Sequence, residues 1–228
     1  MNCTKKTYGC GVVTPIHIAC INPNTEILDQ MLITSQEFAV LDDMMRKPIH
    51  YAACSPSVNN LKLLVEKHHI DTRDTDNILT SPLSYACRSG QVENVRYLCG
   101  EGRSIINQKN KEGWGAIHFC ARYNRPECLK ILVEQGGADV NVPGPGRMLP
   151  MHLAAAYNSV EVAEWLCLNN GKVTIKDKLG RTPLVMGIMN GNSKIVSLML
   201  KRGAPYDLPD KSENYPLHYA AAYGYKDI

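Results

Sequence analysis

The chain has 228 residues, enough for one large domain or two small ones. Hydrophobic residues make up 44% and charged residues 21%, too apolar a balance for a disordered chain, and no apolar run approaches the roughly 18–20 residues of a membrane-crossing helix. A formal net charge of +3 gives nucleic acid no argument, and nine cysteines with no C-x-x-C pair argue against a closed disulfide set or a zinc ribbon. These cysteines point to a reducing compartment, the cytosol first and the nucleus second. The start has Lys5-Lys6 but no apolar segment behind them, so it does not read as a secretory signal.

In chain order, one phrase returns seven times. It reads Thr14-Pro15-Ile16-His17-Ile18-Ala19, Lys47-Pro48-Ile49-His50-Tyr51-Ala52, Ser81-Pro82-Leu83-Ser84-Tyr85-Ala86 and Gly115-Ala116-Ile117-His118-Phe119-Cys120. It continues as Leu149-Pro150-Met151-His152-Leu153-Ala154, Thr182-Pro183-Leu184-Val185-Met186-Gly187 and Tyr215-Pro216-Leu217-His218-Tyr219-Ala220. The copies lie 33 or 34 residues apart. Hydroxyl-then-Pro is a helix start, and Thr14, Ser81 and Thr182 keep the capping hydroxyl. Lys47, Gly115, Leu149 and Tyr215 lack it, which predicts helix starts weaker by about 1 kcal/mol each. Behind each phrase a second helix is predicted from apolar spacing, as at Leu61, Leu64 and Val65 or Ile195, Leu198 and Met199. Small residues such as Ala52-Ala53 and Ala154-Ala155 permit close helix approach.

The period and the phrase resemble the ankyrin repeat, whose signature is T-P-L-H-x-A. The resemblance runs from about Gly9 to the last residue. Asp42, Asp76, Asp177 and Asp210 stand at the family's turn position, Gly113 and Gly180 at its turn glycine, and Gly90, Gly191 and Gly224 at the end of the first helix. The resemblance implies an all-α solenoid of stacked helix-turn-helix units with short β-hairpin loops. One domain is expected over 1–228, with units starting near 9, 42, 76, 110, 144, 177 and 210. The last unit breaks off at Ile228 with no polar closing unit, so the chain is expected to be a fragment of a longer protein. Two connections are irregular: the first linker with Phe38, Val40 and Leu41, and Pro143-Gly144-Pro145-Gly146, which predicts a rigid, remodelled hairpin tip.

No catalytic constellation emerges. His17, His50, His118, His152 and His218 share one column, so they stack as a ladder instead of converging on a ligand. The resemblance implies hydrogen bonds within and between repeats for them. His68-His69 reads as surface. Cys20, Cys87, Cys99, Cys120 and Cys167 fall in repeat-phased positions and read as small buried hydrophobes, whereas Cys3 and Cys10 precede the first helix and are expected to be exposed. Neither a phosphate-binding glycine loop nor a hydrolase or zinc motif is present. No cofactor, no metal and no enzyme activity are expected.

The resemblance implies that hairpin tips and first helices line a concave groove where a protein partner binds. The residue after the His column and the one four later share a helix face. They gather aromatics in one stripe: Tyr51, Tyr85, Phe119, Tyr123, Tyr157, Tyr219 and Tyr223. Arg88 and Arg122 flank it and Trp114 stands near a hairpin tip, a composition suited to binding hot spots. Trp165 reads as core. Against a mildly acidic start, the sixth unit concentrates Lys172, Lys176, Lys178, Arg181, Lys194, Lys201 and Arg202 around one acid, Asp177. Two alternatives to a free-standing interaction module follow. One is a regulatory or targeting arm of a larger enzyme or channel. The other is an anion-binding surface, for lipid or RNA, on the sixth unit; aromatics phased to the repeat and not interleaved with cations weigh against nucleic acid.

Overall fold

The structure is a computed structural model that describes residues 12–35, 39–101 and 106–226. The expectations placed on Gly9, Cys3, Cys10, Phe38 and the final Asp227 and Ile228 lie outside the described residues. Seven first helices are found: α1 (Pro15–Ile21), α3 (Pro48–Cys54), α5 (Pro82–Ser89), α7 (Ala116–Arg122), α9 (Pro150–Ala156), α11 (Pro183–Met189) and α13 (Pro216–Tyr223). Six second helices alternate with them: α2 (Thr25–Ser35), α4 (Val58–Lys62, prolonged by a π-helical turn Leu63–Lys67), α6 (Val92–Glu101), α8 (Pro126–Glu134), α10 (Val160–Leu168) and α12 (Ser193–Lys201).

Consecutive first helices pack side by side, as do consecutive second helices, so the chain is a two-layer all-α stack. One helix pair cannot bury its own apolar face; stacking joins the faces into one core. Leu28, Leu61, Leu98, Leu129, Leu166 and Ile195 lie fully inside it on the second helices. Ala52, Ala53, Ala154 and Ala155 are fully buried where the layers meet, since only small side chains let the helices approach so closely. Val40 of the first linker packs against this core. No described helix is long and apolar enough to cross a membrane.

The first helices start in two ways. Where the column holds Ser84 or Val185 instead of His, a hydroxyl caps the helix: Ser81 Oγ accepts from Ser84 N–H (3.3 Å) and Thr182 Oγ1 from Val185 N–H (3.4 Å). Where it holds His, ring Nδ1 accepts the N–H of the residue three before, at 3.1 Å in all five units. Lys47, Gly115, Leu149 and Tyr215 therefore have their amides satisfied without a hydroxyl. The imidazole satisfies a different amide from the one a capping hydroxyl would take: it holds the N–H of the cap residue, and the first-turn amides of these four helices have no side-chain cap. Thr14 directs its hydroxyl to the same Nδ1, at 2.9 Å.

Hairpin loops join the units. In each, residue i donates its N–H to the carbonyl of i+4: Asp42 to Arg46, Asp76 to Thr80, Asn110 to Trp114, Gly144 to Met148, Asp177 to Arg181 and Asp210 to Asn214. An Asp or Asn at i also accepts the N–H of i+2 and i+4 through Oδ1, as Asp42 does from Met44 and Arg46. This Asx geometry is why a short acid or amide opens the turn. Position i+3 is left-handed throughout, which Gly113 (φ 90°) and Gly180 (φ 83°) adopt without strain. The loops contain one isolated antiparallel bridge, Lys109–Gly115, among the described residues.

Neighbouring hairpins are laced together. Asn77, Lys111, Lys178 and Lys211 each donate a backbone N–H to the hairpin before, at Met44, Ile78, Gly146 and Leu179. In the fifth unit that position is Pro145, which has no N–H to give. The tip there forms a short 3₁₀ turn, Pro145–Arg147, and the lacing between the fourth and fifth units is carried by side chains: Lys109 Nζ to Pro143 O (2.6 Å) and His118 Nε2 to Val142 O (3.1 Å).

Candidate protein-interaction face

The histidine ladder sets the spacing of this face. With Nδ1 occupied as acceptor, Nε2 carries the proton and donates to the next hairpin: His17 to Arg46 O (3.0 Å), His118 to Val142 O (3.1 Å) and His152 to Arg181 O (3.2 Å). His50 makes no such bond through Nε2, and His218 is exposed. Burial holds His17, His50 and His152 below the ordinary value, and His118 at about 4, so these four rings are neutral at physiological pH.

The residue after the histidine column behaves in two ways. Tyr51, Tyr85 and Tyr219 turn back and donate their hydroxyls to the aspartate nine residues earlier: Tyr51 to Asp42 Oδ2 (2.6 Å), Tyr85 to Asp76 Oδ2 (2.9 Å) and Tyr219 to Asp210 Oδ2. Each bond staples a hairpin to its own first helix. Arg46 adds a guanidinium to the same Asp42 carboxylate at 2.6 Å. Burial opposes ionisation of Asp42, but the bonds from Tyr51 and Arg46 outweigh it and hold the acid at about 2. Tyr85 is only 8% exposed. Its place in the aromatic stripe is therefore corrected: it is a packed core residue whose hydroxyl is already bonded, not an accessible anchor. Tyr51 and Tyr219 are half-buried with their hydroxyls committed in the same way.

In the fourth and fifth units the staple is missing. The turn residue is Asn110 or Gly144 and the helix residue Phe119 or Leu153, and no bond forms because neither Phe119 nor Leu153 carries a hydroxyl. In the sixth, Arg181 takes Asp177 (2.8 Å) and the helix residue is Met186. The stapled second and third units carry a hollow of about 320 Å³ lined by Arg46, Tyr51, Tyr85 and Arg88, and across the fourth to sixth units lies a cleft of about 390 Å³. Trp114, Phe119 and His118 form one wall, Met148, Leu153 and Tyr157 the middle, and Met186, Asn190 and Arg181 the far side. Trp114 packs edge-on against the His118 ring, with centroids 5.4 Å apart. Gly144 lies against both. A Cβ there would fall 2.9 Å from Trp114 Cζ3 and from His118 Nε2, so the close approach needs glycine.

Beside the cleft the i, i+4 stripe makes a row of alternating cations and rings. Arg88 lies over Tyr123 at 5.5 Å from the ring centroid, Arg122 lies 5.6 Å from the same ring, and Arg122 stands 4.7 Å over Tyr157. Tyr157 and Tyr223 are exposed, and Tyr223 stacks on Tyr225 away from the cleft. The structure thus brings Trp114, Phe119, Arg122, Tyr123 and Tyr157 together, places Tyr51, Tyr85 and Arg88 around the neighbouring hollow, and sets Tyr219 and Tyr223 apart.

The basic residues do not form one cluster. Arg181 is paired with Asp177, and Lys176 Nζ donates to Pro209 O (2.6 Å). Lys172 and Lys178 are on loops. Lys194 and Lys201–Arg202 lie at opposite ends of α12, about 10 Å apart along its axis. Sequence reasoning missed Met148 and the part Gly144 plays. The signal was available: Met148 and Arg181 follow Trp114 at repeat spacing, so the column that supplies Trp114 supplies them too.

A two-layer stack of helix pairs with Asx-turned hairpins and a histidine ladder defines a helical-repeat binding scaffold. A family model for ankyrin repeats matches residues 1–76, 73–144 and 147–228, and the chain belongs to the ankyrin repeat family. Proteins of this family are in general interaction modules without catalysis. The chain is also similar to an ankyrin repeat protein of Fowlpox virus (strain NVSL), 34% identical over 62 residues. That match covers 27% of this chain, and the chain spans about a third of the relative's length.

Proposed function

We propose that the chain is a non-catalytic interaction module that holds a protein partner on its hairpin and first-helix face, centred on the cleft between α7, α9 and α11. The observation that carries this reading is the convergence of Trp114, Phe119, Arg122 and Tyr157 on that one cleft, because aromatics and arginine in a preformed hollow are the usual anchors of protein interfaces. The hydrogen-bonded hairpins and histidine ladder hold the face rigid, so little conformational freedom is lost on binding. Burial pushes the Cys20 and Cys128 thiols up to about 12 and Cys99 to about 11, too high for these three to supply a thiolate nucleophile. A reducing compartment such as the cytosol suits such thiols.

The test is site-specific photo-cross-linking in cells. Benzoylphenylalanine replaces Tyr157 in the cleft or, as a control, Leu168, which is 68% exposed on the second-helix layer. A discrete protein adduct from position 157 and none from 168 is expected. Equal labelling from both positions, or none from 157, overturns the assignment of this face.

A further inference from the structure

The charge of the cleft goes further and specifies what kind of segment fits it. We infer that the cleft recognises a peptide segment in which a carboxylate side chain stands next to a bulky apolar one. This inference rests on the protein-binding reading above and adds the chemistry of the partner.

Three observations lead to it. First, the floor and walls are apolar, with Trp114, Phe119, Met148 and Met186 around a volume of about 390 Å³, within the ~300–1,000 Å³ typical of ligand clefts. Second, the charged groups lining the cleft are both guanidiniums, Arg122 and Arg181, and no carboxylate lines it among the described residues. His118 adds no charge, since it is held neutral and its Nε2 is bonded to Val142 O. Third, the two arginines are not equivalent. Arg181 is neutralised by Asp177 through Nε (3.0 Å) and Nη2 (2.8 Å), just as Arg46 is by Asp42 in the second unit. Arg122 pairs with no acid among the described residues. It rests on Tyr157 and Tyr123 with its N–H donors unspent.

A planar guanidinium laid on an aromatic ring is a preorganised fork for a carboxylate. One uncompensated positive charge at the rim of an apolar hollow calls for one negative charge beside one large apolar group. A purely apolar segment would leave Arg122 to be desolvated without a partner, which is costly.

The test follows the two tryptophans of the ¹⁵N-labelled chain. Trp114 reports on the cleft, and Trp165 of α10 serves as the internal reference. Three alanine-flanked hexapeptides are titrated, identical except for a central Leu-Glu, Leu-Gln or Leu-phosphoserine pair. The Leu-Glu peptide is expected to shift the Trp114 indole N–H at about tenfold lower concentration than Leu-Gln, the worth of one charge-assisted pair, with Trp165 unmoved. Arg122→Gln, with unchanged helical circular dichroism, should erase that preference, and Arg122→Lys should keep only part of it. Equal response to Glu and Gln overturns the carboxylate assignment while leaving protein binding at this face intact. A preference that survives Arg122→Gln overturns the role of Arg122. A phosphoserine peptide that binds more than tenfold tighter than Leu-Glu overturns the carboxylate in favour of phosphate. No Trp114 response to any peptide overturns the inference, and the cross-link from position 157 then tells whether the interaction face fails with it.

Discussion

The second, third and seventh units close on themselves, whereas the fourth and fifth stay open. In the closed units an aspartate at the turn and a tyrosine nine residues later form one hydrogen bond that pins the hairpin onto its helix. In the open units Asn110 faces Phe119 and Gly144 precedes Leu153, so no such bond forms, and the cleft there is lined by Trp114, Phe119 and Tyr157. The same stretch loses a backbone bond between hairpins at Pro145. The comparison teaches that stapling changes what lines a hollow and not whether one exists: the stapled Tyr51 and Tyr85 line a hollow of about 320 Å³ with their hydroxyls spent on aspartates, whereas the unstapled units line theirs with Trp114, Phe119 and Tyr157.

The largest effect expected is acid sensitivity that belongs to the histidine ladder and not to the staples. The pKa of His118 in the folded chain, about 4, is below its ordinary 6.5, because burial disfavours the imidazolium. As pH falls, the unfolded chain takes up its proton first. Its stabilisation is thus complete above about 6.5 and is lost as pH falls towards 4, about 3 kcal/mol for this residue alone. His17, His50 and His152 shift the same way and add to the loss. Asp42 has the opposite arrangement, a value lowered to about 2, so its stabilisation is lost only below about 4. Urea unfolding at pH 7.5, 6 and 5 should show the loss before the Asp42 staple titrates; a flat profile across that range would refute the neutral rings of the ladder.

Single substitutions come next. Tyr85→Phe leaves the buried Asp76 oxygen without its donor and should cost about 1–3 kcal/mol, while Tyr157→Phe in the open region should change stability by less than about 0.5 kcal/mol. His152→Ala removes a bond to Leu149 N–H and one to Arg181 O and should also cost about 1–3 kcal/mol. Thermal melts of the three variants decide whether closed and open units differ as described.

The comparison can also be inverted. Asn110→Asp with Phe119→Tyr transplants the staple into the fourth unit. It should stabilise the stack by up to about 1 kcal/mol and weaken whatever position 157 cross-links to. Stabilisation without any loss of the cross-link would separate the two properties. The smallest effect is expected from Pro145→Ala. It restores an N–H where neighbouring hairpins donate one but frees the unfolded chain, so the net change should stay within about 0.5 kcal/mol. Hydrogen exchange should nevertheless show a protected amide at position 145.

Much of the fold was legible because its determinants are local and periodic. The proline column marks the first-helix starts from Pro15 to Pro216, broken once by Ala116, and the apolar spacing marks the second helices. The turn aspartates mark the hairpins, with Asn110 and Gly144 as substitutes. The helix ends were legible as well: Gly90, Gly191 and Gly224 take the left-handed position, and Asn124 and Asn158 take it in the units between. The start of the first helices was only half legible. A search for capping hydroxyls finds Thr14, Ser81 and Thr182, but Thr14 directs its hydroxyl to the His17 ring, and the ring that holds the cap residue's own N–H in five units comes from three residues further on.

The site was less legible, and Tyr85 and Tyr157 show why. Both lie on one sequence stripe and have the same chemistry. Tyr85 stands one residue after the column and packs inward onto Asp76, whereas Tyr157 stands five after it and lies exposed under the Arg122 guanidinium. Likewise the basic residues of the sixth unit are close in sequence but lie on loops and at both ends of α12.

Sequence by itself determined the family, the helix pairs, the stacking order and the residue types available along one face. Periodicity does this, because each unit repeats the same short-range solution and neighbours differ by one repeat. Only the tertiary structure decided which tyrosines are spent on aspartates, which arginine keeps its charge unmatched, and which side chains line the cleft. The Asp–Tyr staples recur at a fixed nine-residue spacing, but whether a hydroxyl turns inward and whether a guanidinium finds an acid are decided by burial and hydrogen-bond geometry, which spacing alone does not give.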